Sequence, residues 1–475
     1  MYYRLRENFL LRGYERLPYA IIDTKTGAAN FITSEMFNAL ELCNGKIDLS
    51  LPIISEKIRE CVKVAETAGV IEPTLTPQSI NDKQEYKFYK ARYIRQAHFS
   101  ITGKCNYKCK HCYMSAPDAK YGELSHDVIL NIIQQMSDCG IMNVSLTGGE
   151  PLVREDFLDI VDALLERDIN ITQIYSNGAL VNEKLLNELD ARNIHPEFNM
   201  SYDGAGWHDW LRGINGAEKI VDRAFSLCRD MGFPTGSEMC LHEYNKHTLR
   251  ESIKHLGSLG VKSLKVNPVS NVGEWAKNKL GQSINFKELF NIYLEYIPEY
   301  YQDDMPLNIM LGGLFAARKN EPDYFVIPVF KPDIDPESFC ICGHARLVMY
   351  ISPEGRTLPC MALAGMNIQE KFPLITQNSL SDCINNSFYM QIINTRASEY
   401  LALNEACNNC KYSRHCYGGC RADALEHGNN LMGKSPGTCE IFRGGWVDKV
   451  IKAVKQVRPN AKSLVFESAL WQNLE

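Results

Sequence analysis

Hydrophobic positions over the first eighty residues change period twice. Tyr19-Ala20-Ile21-Ile22-Asp23 and Asn30-Phe31-Ile32 read as strands around a Thr26-Gly27 turn, and Ser34 to Leu42 follows a helical period that stops at Asn44-Gly45. A second amphipathic helix carries Ile54, Ile58, Val62 and Val64 to a turn at Gly69, followed by Val70-Ile71. Residues 1–78 are therefore expected to form a winged-helix-like domain. Residues 79–95 are polar, contain several lysines and read as a solvated linker.

Beyond that linker, short apolar runs at 97–101, 143–147, 171–176, 197–202, 236–242 and 262–267 alternate with helical stripes. Val128, Ile129, Ile132, Ile133 and Met136 make one such stripe, and Phe157, Ile160, Val161, Leu164 and Leu165 another. Six strand-helix units over 96–310 predict a partial (β/α)6 TIM barrel, an architecture that places chemistry on the loops leaving the C-terminal ends of its strands. Pro322, Pro328, Pro332 and Pro336 mark 311–339 as a bridging segment. Residues 340–445 are rich in cysteine and glycine and poor in long apolar periods, which predicts a domain organised by metal more than by a core, and 446–475 read as a helical tail. The fold class is α/β, with a winged-helix-like front and a cysteine-rich iron-sulfur domain behind.

Composition removes whole classes of function. A chain of 475 residues with 45% hydrophobic and 23% charged positions is globular, with several cores. A formal net charge of -6 supplies no field for a phosphate backbone, so no nucleic-acid partner is expected. Charges interrupt the N-terminal twenty residues, and no apolar run reaches membrane length, so neither a signal peptide nor a membrane contact is expected and the location is read as cytoplasmic. In a reducing compartment, seventeen cysteines are better suited to metal than to disulfides.

Cys105, Cys109 and Cys112 stand at CxxxCxxC spacing directly after the first barrel strand. Three thiolates can hold three irons of a cubane and leave the fourth open, where an amino acid's amine and carboxylate can chelate. A zinc site with a distant fourth ligand is the competing reading. Later strands are followed in order by Thr147-Gly148-Gly149-Glu150-Pro151, Ser176-Asn177-Gly178, Ser201-Tyr202-Asp203-Gly204 and His208-Asp209-Trp210-Leu211-Arg212-Gly213. Together these segments resemble the radical S-adenosylmethionine superfamily. The resemblance implies that Cys105, Cys109 and Cys112 hold the catalytic [4Fe-4S] cluster. It implies further that Gly148 and Gly149 admit the methionine of S-adenosylmethionine, that Glu150 receives its ammonium and that Ser176 and Asn177 line its ribose. Ser201 would contact the same cofactor and Arg212 would clamp its carboxylate through a planar pair of donors.

Farther on, Gly355-x4-Cys360 and the run Cys407, Cys410, Cys416, Cys420 at CxxC-x5-C-x3-C, bracketed by Cys342 and Cys439, resemble the SPASM extension of peptide-modifying members of that superfamily. The resemblance assigns Cys342, Cys360 and Cys420 to one auxiliary [4Fe-4S] cluster and Cys407, Cys410, Cys416 and Cys439 to a second, three clusters in all. Paired zinc sites compete here also. Whether Cys340 closes the first auxiliary cluster stays open. Cys43, Cys61, Cys139, Cys228 and Cys383 read as inert, whereas Cys240, on the fifth barrel strand, could give a hydrogen atom to a substrate radical.

Residues 1–78 resemble the recognition element of enzymes that mature ribosomally made peptides, which binds a leader peptide as an added strand. The resemblances together imply a radical maturase. It would cleave S-adenosylmethionine reductively to a 5′-deoxyadenosyl radical, take a hydrogen atom from a precursor peptide and form a cross-link, a cysteine thioether of the sactipeptide or ranthipeptide kind. The implied partners are that peptide, with its leader, and an electron donor such as flavodoxin or ferredoxin. Epimerisation, carbon-carbon cross-linking and oxidation of a Cys or Ser side chain are alternatives within the same chemistry, and a peptide-binding or electron-carrying iron-sulfur protein is the alternative without turnover.

Overall fold

A computed structural model describes residues 1–118, 120–278 and 283–466. In the front of the chain β1 (Tyr2–Leu5), β2 (Phe9–Tyr14), β3 (Leu17–Asp23) and β4 (Ala28–Phe31) precede α1 (Ser34–Leu42) and α2 (Glu56–Thr67), and β5 (Ile71–Thr74) and β6 (Lys87–Tyr89) follow. β5 pairs antiparallel with β1, and the other four strands form a sheet in the order β4-β3-β2-β6. The helices start where side chains cap them, Thr33 accepting from the Met36 N–H and Ser55 from the Ile58 N–H. Val62 and Ala65 carry the buried face of α2, whereas Val64, counted on the apolar stripe by its spacing, is 58% exposed.

Residues 79–95 are not a solvated linker. β6 lies parallel to β2, and Tyr89, Ala91, Tyr93 and Ile94 are buried. Arg12 explains part of this: its buried guanidinium donates to the carbonyls of Lys83 and Glu85, stitching the polar segment to the sheet. Tyr89 and Tyr93 then pack their rings on Tyr14.

The central sheet begins with β7 (Gln96–Thr102), β8 (Asn143–Gly148), β9 (Asn170–Ser176), β10 (Glu197–Ser201), β11 (Thr235–Leu241) and β12 (Ser263–Pro268). Each is parallel to the next. The connecting helices include α3 (His126–Asp138), α4 (Phe157–Leu165), α5 (Glu183–Ala191), α6 (His208–Arg212), α7 (Ala217–Asp230) and α8 (Leu249–Ser258). Isoleucine, leucine, valine and phenylalanine from both strands and helices fill one continuous core.

The sheet does not stop at six strands. β13 (Asn308–Leu311) continues it in parallel, and β14 (Phe315–Ala317) and β15 (Tyr324–Phe330) add antiparallel hairpin pairings. On the other side β16 (Val348–Ile351) lies parallel to β7 and carries β17 (Thr357–Leu358), while β18 (Lys462–Phe466) joins β15. The twelve strands run from β17 to β18 without closing. Residues 311–339 therefore extend the sheet instead of only bridging it. The register shift between Val326 and Phe330 spans Pro328, which has no N–H to give to a ladder. The tail is helical only over Trp446–Val457, and the part of it from 467 onward lies outside the described residues. The cysteine-rich region also has a core of its own, built on Tyr350, Leu358, Leu363, Phe372, Tyr389 and Ile392.

Candidate active site

The C-terminal ends of β7 to β11 converge on the Cys105–Cys112 loop. Gly148 and Gly149 are required there by close approach of backbone. A Cβ on Gly148 would lie 2.6 Å from the Thr102 carbonyl oxygen, and one on Gly149 would lie 2.3 Å from that of Lys104 and 3.0 Å from the Cys105 Cβ. The two glycines thus seat the cysteine loop against β8. The Glu150 N–H donates to the Lys104 carbonyl, closing the same contact.

Glu150 is fully buried, and burial pushes its carboxyl up to about 7. Its oxygens accept from the Ser176 hydroxyl at 3.0 and 3.1 Å, the Asn177 N–H at 2.7 Å and the Leu152 N–H at 3.2 Å. The β8 and β9 motifs are therefore one network. Asn177 Nδ2 donates to Asn106 Oδ1 at 2.7 Å and points toward Cys105 Sγ, 3.9 Å away. Ser201 is the last residue of β10, paired in register with Glu238 of β11.

Arg212 is held by a partner that sequence reading quoted without assigning a role. Asp203 Oδ2 accepts from Arg212 Nε and Nη2, each at 2.7 Å, while His208 Nδ1 lies 3.2 Å away. Asp203 Oδ1 accepts the Cys240 N–H at 3.0 Å, and Asn245 donates to the Asp203 carbonyl. Burial alone would raise the Asp203 carboxyl, but the Arg212 charge and the His208 contact hold it far below the usual range. Arg212 Nη1 reaches Cys109 Sγ at 3.7 Å, so the ion pair also aims a guanidinium at the cysteine loop. Sequence offered one signal for this pair, the Asp203-Gly204 turn, with Asp203 nine residues ahead of Arg212; Asn245 carried none.

Burial raises the thiols of Cys105, Cys109 and Cys112, so a nearby positive charge is needed to ionise them. Among the described residues, the trio of His, Cys, Asp or Glu ligand atoms lying mutually within 4.8 Å is His111, Asp203 and Cys240. The three loop thiols are not gathered that tightly. One zinc ion draws its ligands close together, whereas a cubane spreads three thiolates over separate irons.

The C-terminal cysteines fall into two groups. Burial raises Cys342, with added repulsion from Cys360 and Cys420, and Cys360 responds in turn to Cys420. Cys439 likewise acts on Cys416, and both feel Cys407 and Cys410 as neighbours. Arg421 is 2% exposed, adjoins Cys342 and spends its donors on the carbonyls of Leu431, Gly433, Gly418 and Gly419. A buried cation beside Cys342 suits an anionic iron-sulfur cluster. Cys340 faces elsewhere: its sulfur accepts from Arg346 Nη1 at 3.0 Å and Arg396 Nη1 at 3.4 Å. A cleft of about 880 Å³ lies at the opposite end of the sheet between the front domain and the starts of β8 and β9, away from this chemistry.

A parallel sheet with three thiols, two glycines and a buried Asp-Arg pair at its C-terminal end defines a class, enzymes that bind a cofactor on an iron-sulfur cluster. Residues 99–256 match the radical SAM superfamily, and residues 342–411 match the iron-sulfur cluster-binding domain SPASM. The chain is a radical SAM enzyme with a SPASM domain, and its cofactors are S-adenosylmethionine and [4Fe-4S] clusters. Relatives include PqqA peptide cyclases of Granulibacter bethesdensis, 24% identical over 68% of this chain and 82% of the relative, and of Gluconobacter oxydans, 24% identical over 75% and 92%. The fold is shared with Streptococcus suis SuiB, crystallised with precursor peptide SuiA, at TM-score 0.64 and 15% identity over 92% of this chain and all of that one. It is shared also with anSMEcpe, crystallised with AdoMet and the Kp18Cys peptide, at TM-score 0.57 and 16% identity over 77% and 99%. Among the described residues, no helix is long and apolar enough to cross a membrane.

Proposed function

We propose that this chain matures a ribosomally made precursor peptide, guided by its leader, and installs a cysteine thioether. The observation that carries the peptide reading is the front sheet. It ends on β4, whose outer edge pairs with no strand among the described residues, so an extended leader can add there by main-chain hydrogen bonds. The names of the relatives and of the co-crystallised peptides support the same substrate class.

Cys105, Cys109 and Cys112 are proposed to hold one cluster, Cys342, Cys360 and Cys420 a second, and Cys407, Cys410, Cys416 and Cys439 a third. When bound, the first cluster and S-adenosylmethionine supply a 5′-deoxyadenosyl radical that takes a hydrogen atom from the peptide. Gly148 and Gly149 keep the cysteine loop against β8, and Glu150 with Ser176 and Asn177 fixes the turn beside it. Arg212, oriented by Asp203, offers its remaining donors to a carboxylate. Cys340, engaged by two guanidiniums, would leave Cys342, Cys360 and Cys420 to hold the second cluster, which supports a thioether: a substrate thiolate held beside the carbon radical would form the carbon-sulfur bond with release of one electron, which that cluster would take up.

The experiment is co-expression with candidate precursor peptides, each carrying its leader, followed by mass analysis of the peptide. Loss of two hydrogens together with one alkylatable thiol is the expected result. Loss of two hydrogens with every thiol still alkylatable would replace the thioether by a carbon-carbon link. An unmodified peptide, with full cluster loading, would reject the proposal.

A further inference from the structure

The turn between β2 and β3 overhangs a small notch whose floor belongs to the cysteine-rich domain. The notch encloses about 110 Å³ and is lined by Glu15, Arg16, Arg92, Arg346, Asn385 and Asn394, with apolar neighbours. Three of these side chains are guanidiniums. Among the described residues, none of the three lies within 4.0 Å of a carboxylate, and Glu15 is the single acidic residue in the lining.

The two inner arginines are short of negative charge. Arg346 is 6% exposed, and its recorded side-chain contact is the Cys340 sulfur at 3.0 Å. Arg92 gives Nη1 to the Arg346 carbonyl at 2.7 Å and Nη2 to the Tyr389 hydroxyl at 2.9 Å, while its Nε is buried with no acceptor. A buried guanidinium without a counter-charge is costly, and an unmet buried donor adds to that cost. Arg16 stands at the lip with φ of 65°, a left-handed conformation unusual for a residue with a side chain, and among the described residues its guanidinium has no hydrogen-bond or ion-pair partner.

We infer that this notch is an anion site that takes the carboxylate of an acidic side chain of the precursor peptide. The volume suits one carboxylate, and planar guanidiniums match its two oxygens. Its place between the front domain and the cysteine-rich domain would pin a leader that has left the front sheet. The inference rests on the proposed peptide substrate for its source of carboxylate, but not for the existence of the site.

The test uses the full-length, cluster-loaded protein and its Arg16→Gln and Arg92→Gln variants. Thermal unfolding is followed with sodium acetate or inorganic phosphate against chloride at constant ionic strength, and binding is measured for blocked hexaglutamate and hexaglutamine peptides. Both small anions should raise the wild-type midpoint, and hexaglutamate should bind where hexaglutamine does not. Arg16→Gln, at an exposed position that leaves the fold intact, should weaken acetate and hexaglutamate by about fivefold, the range of one half-exposed charge contact; Arg92→Gln should weaken them further. Equal midpoint shifts in all three proteins, or none in the wild type, would overturn the site. Anion binding without hexaglutamate binding would overturn the assignment to a peptide. Failure of the maturase reading would show separately, as an unmodified precursor with the anion response intact.

Discussion

Replacing Asp203 by Asn should loosen the whole C-terminal end of β10 and β11. The Asp203 side chain is fully buried, and its two oxygens serve four groups: Arg212 Nε and Nη2 at 2.7 Å, His208 Nδ1 at 3.2 Å and the Cys240 N–H at 3.0 Å. An asparagine keeps one oxygen and must turn an NH2 toward either the Arg212 fork or the Cys240 N–H. Either choice sets donor against donor. It also leaves Arg212, whose side chain is 10% exposed, without its counter-charge. Removing one partner of a buried ion pair costs about 3–5 kcal/mol. At about 1.36 kcal/mol per factor of ten, protection of amides held by this network should fall by roughly a hundredfold to a few thousandfold. Hydrogen-deuterium exchange followed by mass spectrometry reads this directly in fragments covering 203–213 and 238–245. Fragments from the front domain serve as the internal control and should not change. Wild-type protection in both site fragments would refute the claim that this ion pair organises the site.

Other consequences follow from the same geometry. Cys105→Ala, Cys342→Ala and Cys439→Ala should each lose about four of roughly twelve irons after anaerobic reconstitution, whereas Cys340→Ala should keep them all; an equal loss in Cys340→Ala would place it among the ligands. Gly149→Ala should lose the irons of the first cluster, because its new Cβ would meet the Lys104 oxygen at 2.3 Å, while Gly69→Ala, with nothing within 4 Å, should cost only about 1 kcal/mol of backbone strain and keep full iron; equal iron in both variants would remove the steric argument. His427 is raised above its usual value by its hydrogen bond to Asp423, so its contribution is complete below the ordinary value of 6.5 and is lost as pH rises through the higher folded value. The stability gap between wild type and His427→Gln should therefore narrow on going from mildly acid to alkaline solution, and a gap that widens would show the coupling to have the opposite sign.

Sequence periodicity was legible wherever one face of an element is buried. The six runs that begin at 97, 143, 171, 197, 236 and 262 correspond to β7 to β12, and the stripe over 126–138 coincides with α3. It failed where charge is buried by contacts remote in sequence. β1 and β2 carry Arg4 and Arg12, and only the carbonyls of Lys83 and Glu85 explain why Arg12 belongs inside. The same blindness made residues 79–95 look like a linker and hid the strands that 311–339 and the tail add to the sheet. In the site, spacing singled out the thiols as candidates and the family resemblance the two glycines, because loop chemistry there is local. The partnership of Asp203 with Arg212 and of Glu150 with Ser176 crosses strands, and spacing along one chain holds no record of which strand ends face each other.

The most direct test of the account is the release of 5′-deoxyadenosine. Anaerobically reconstituted protein carrying its full iron, given reductant and S-adenosylmethionine, should produce it, and Cys105→Ala should not. No 5′-deoxyadenosine from fully loaded wild-type protein, with the precursor peptide present, would contradict the assignment of Cys105, Cys109 and Cys112 on which everything else depends.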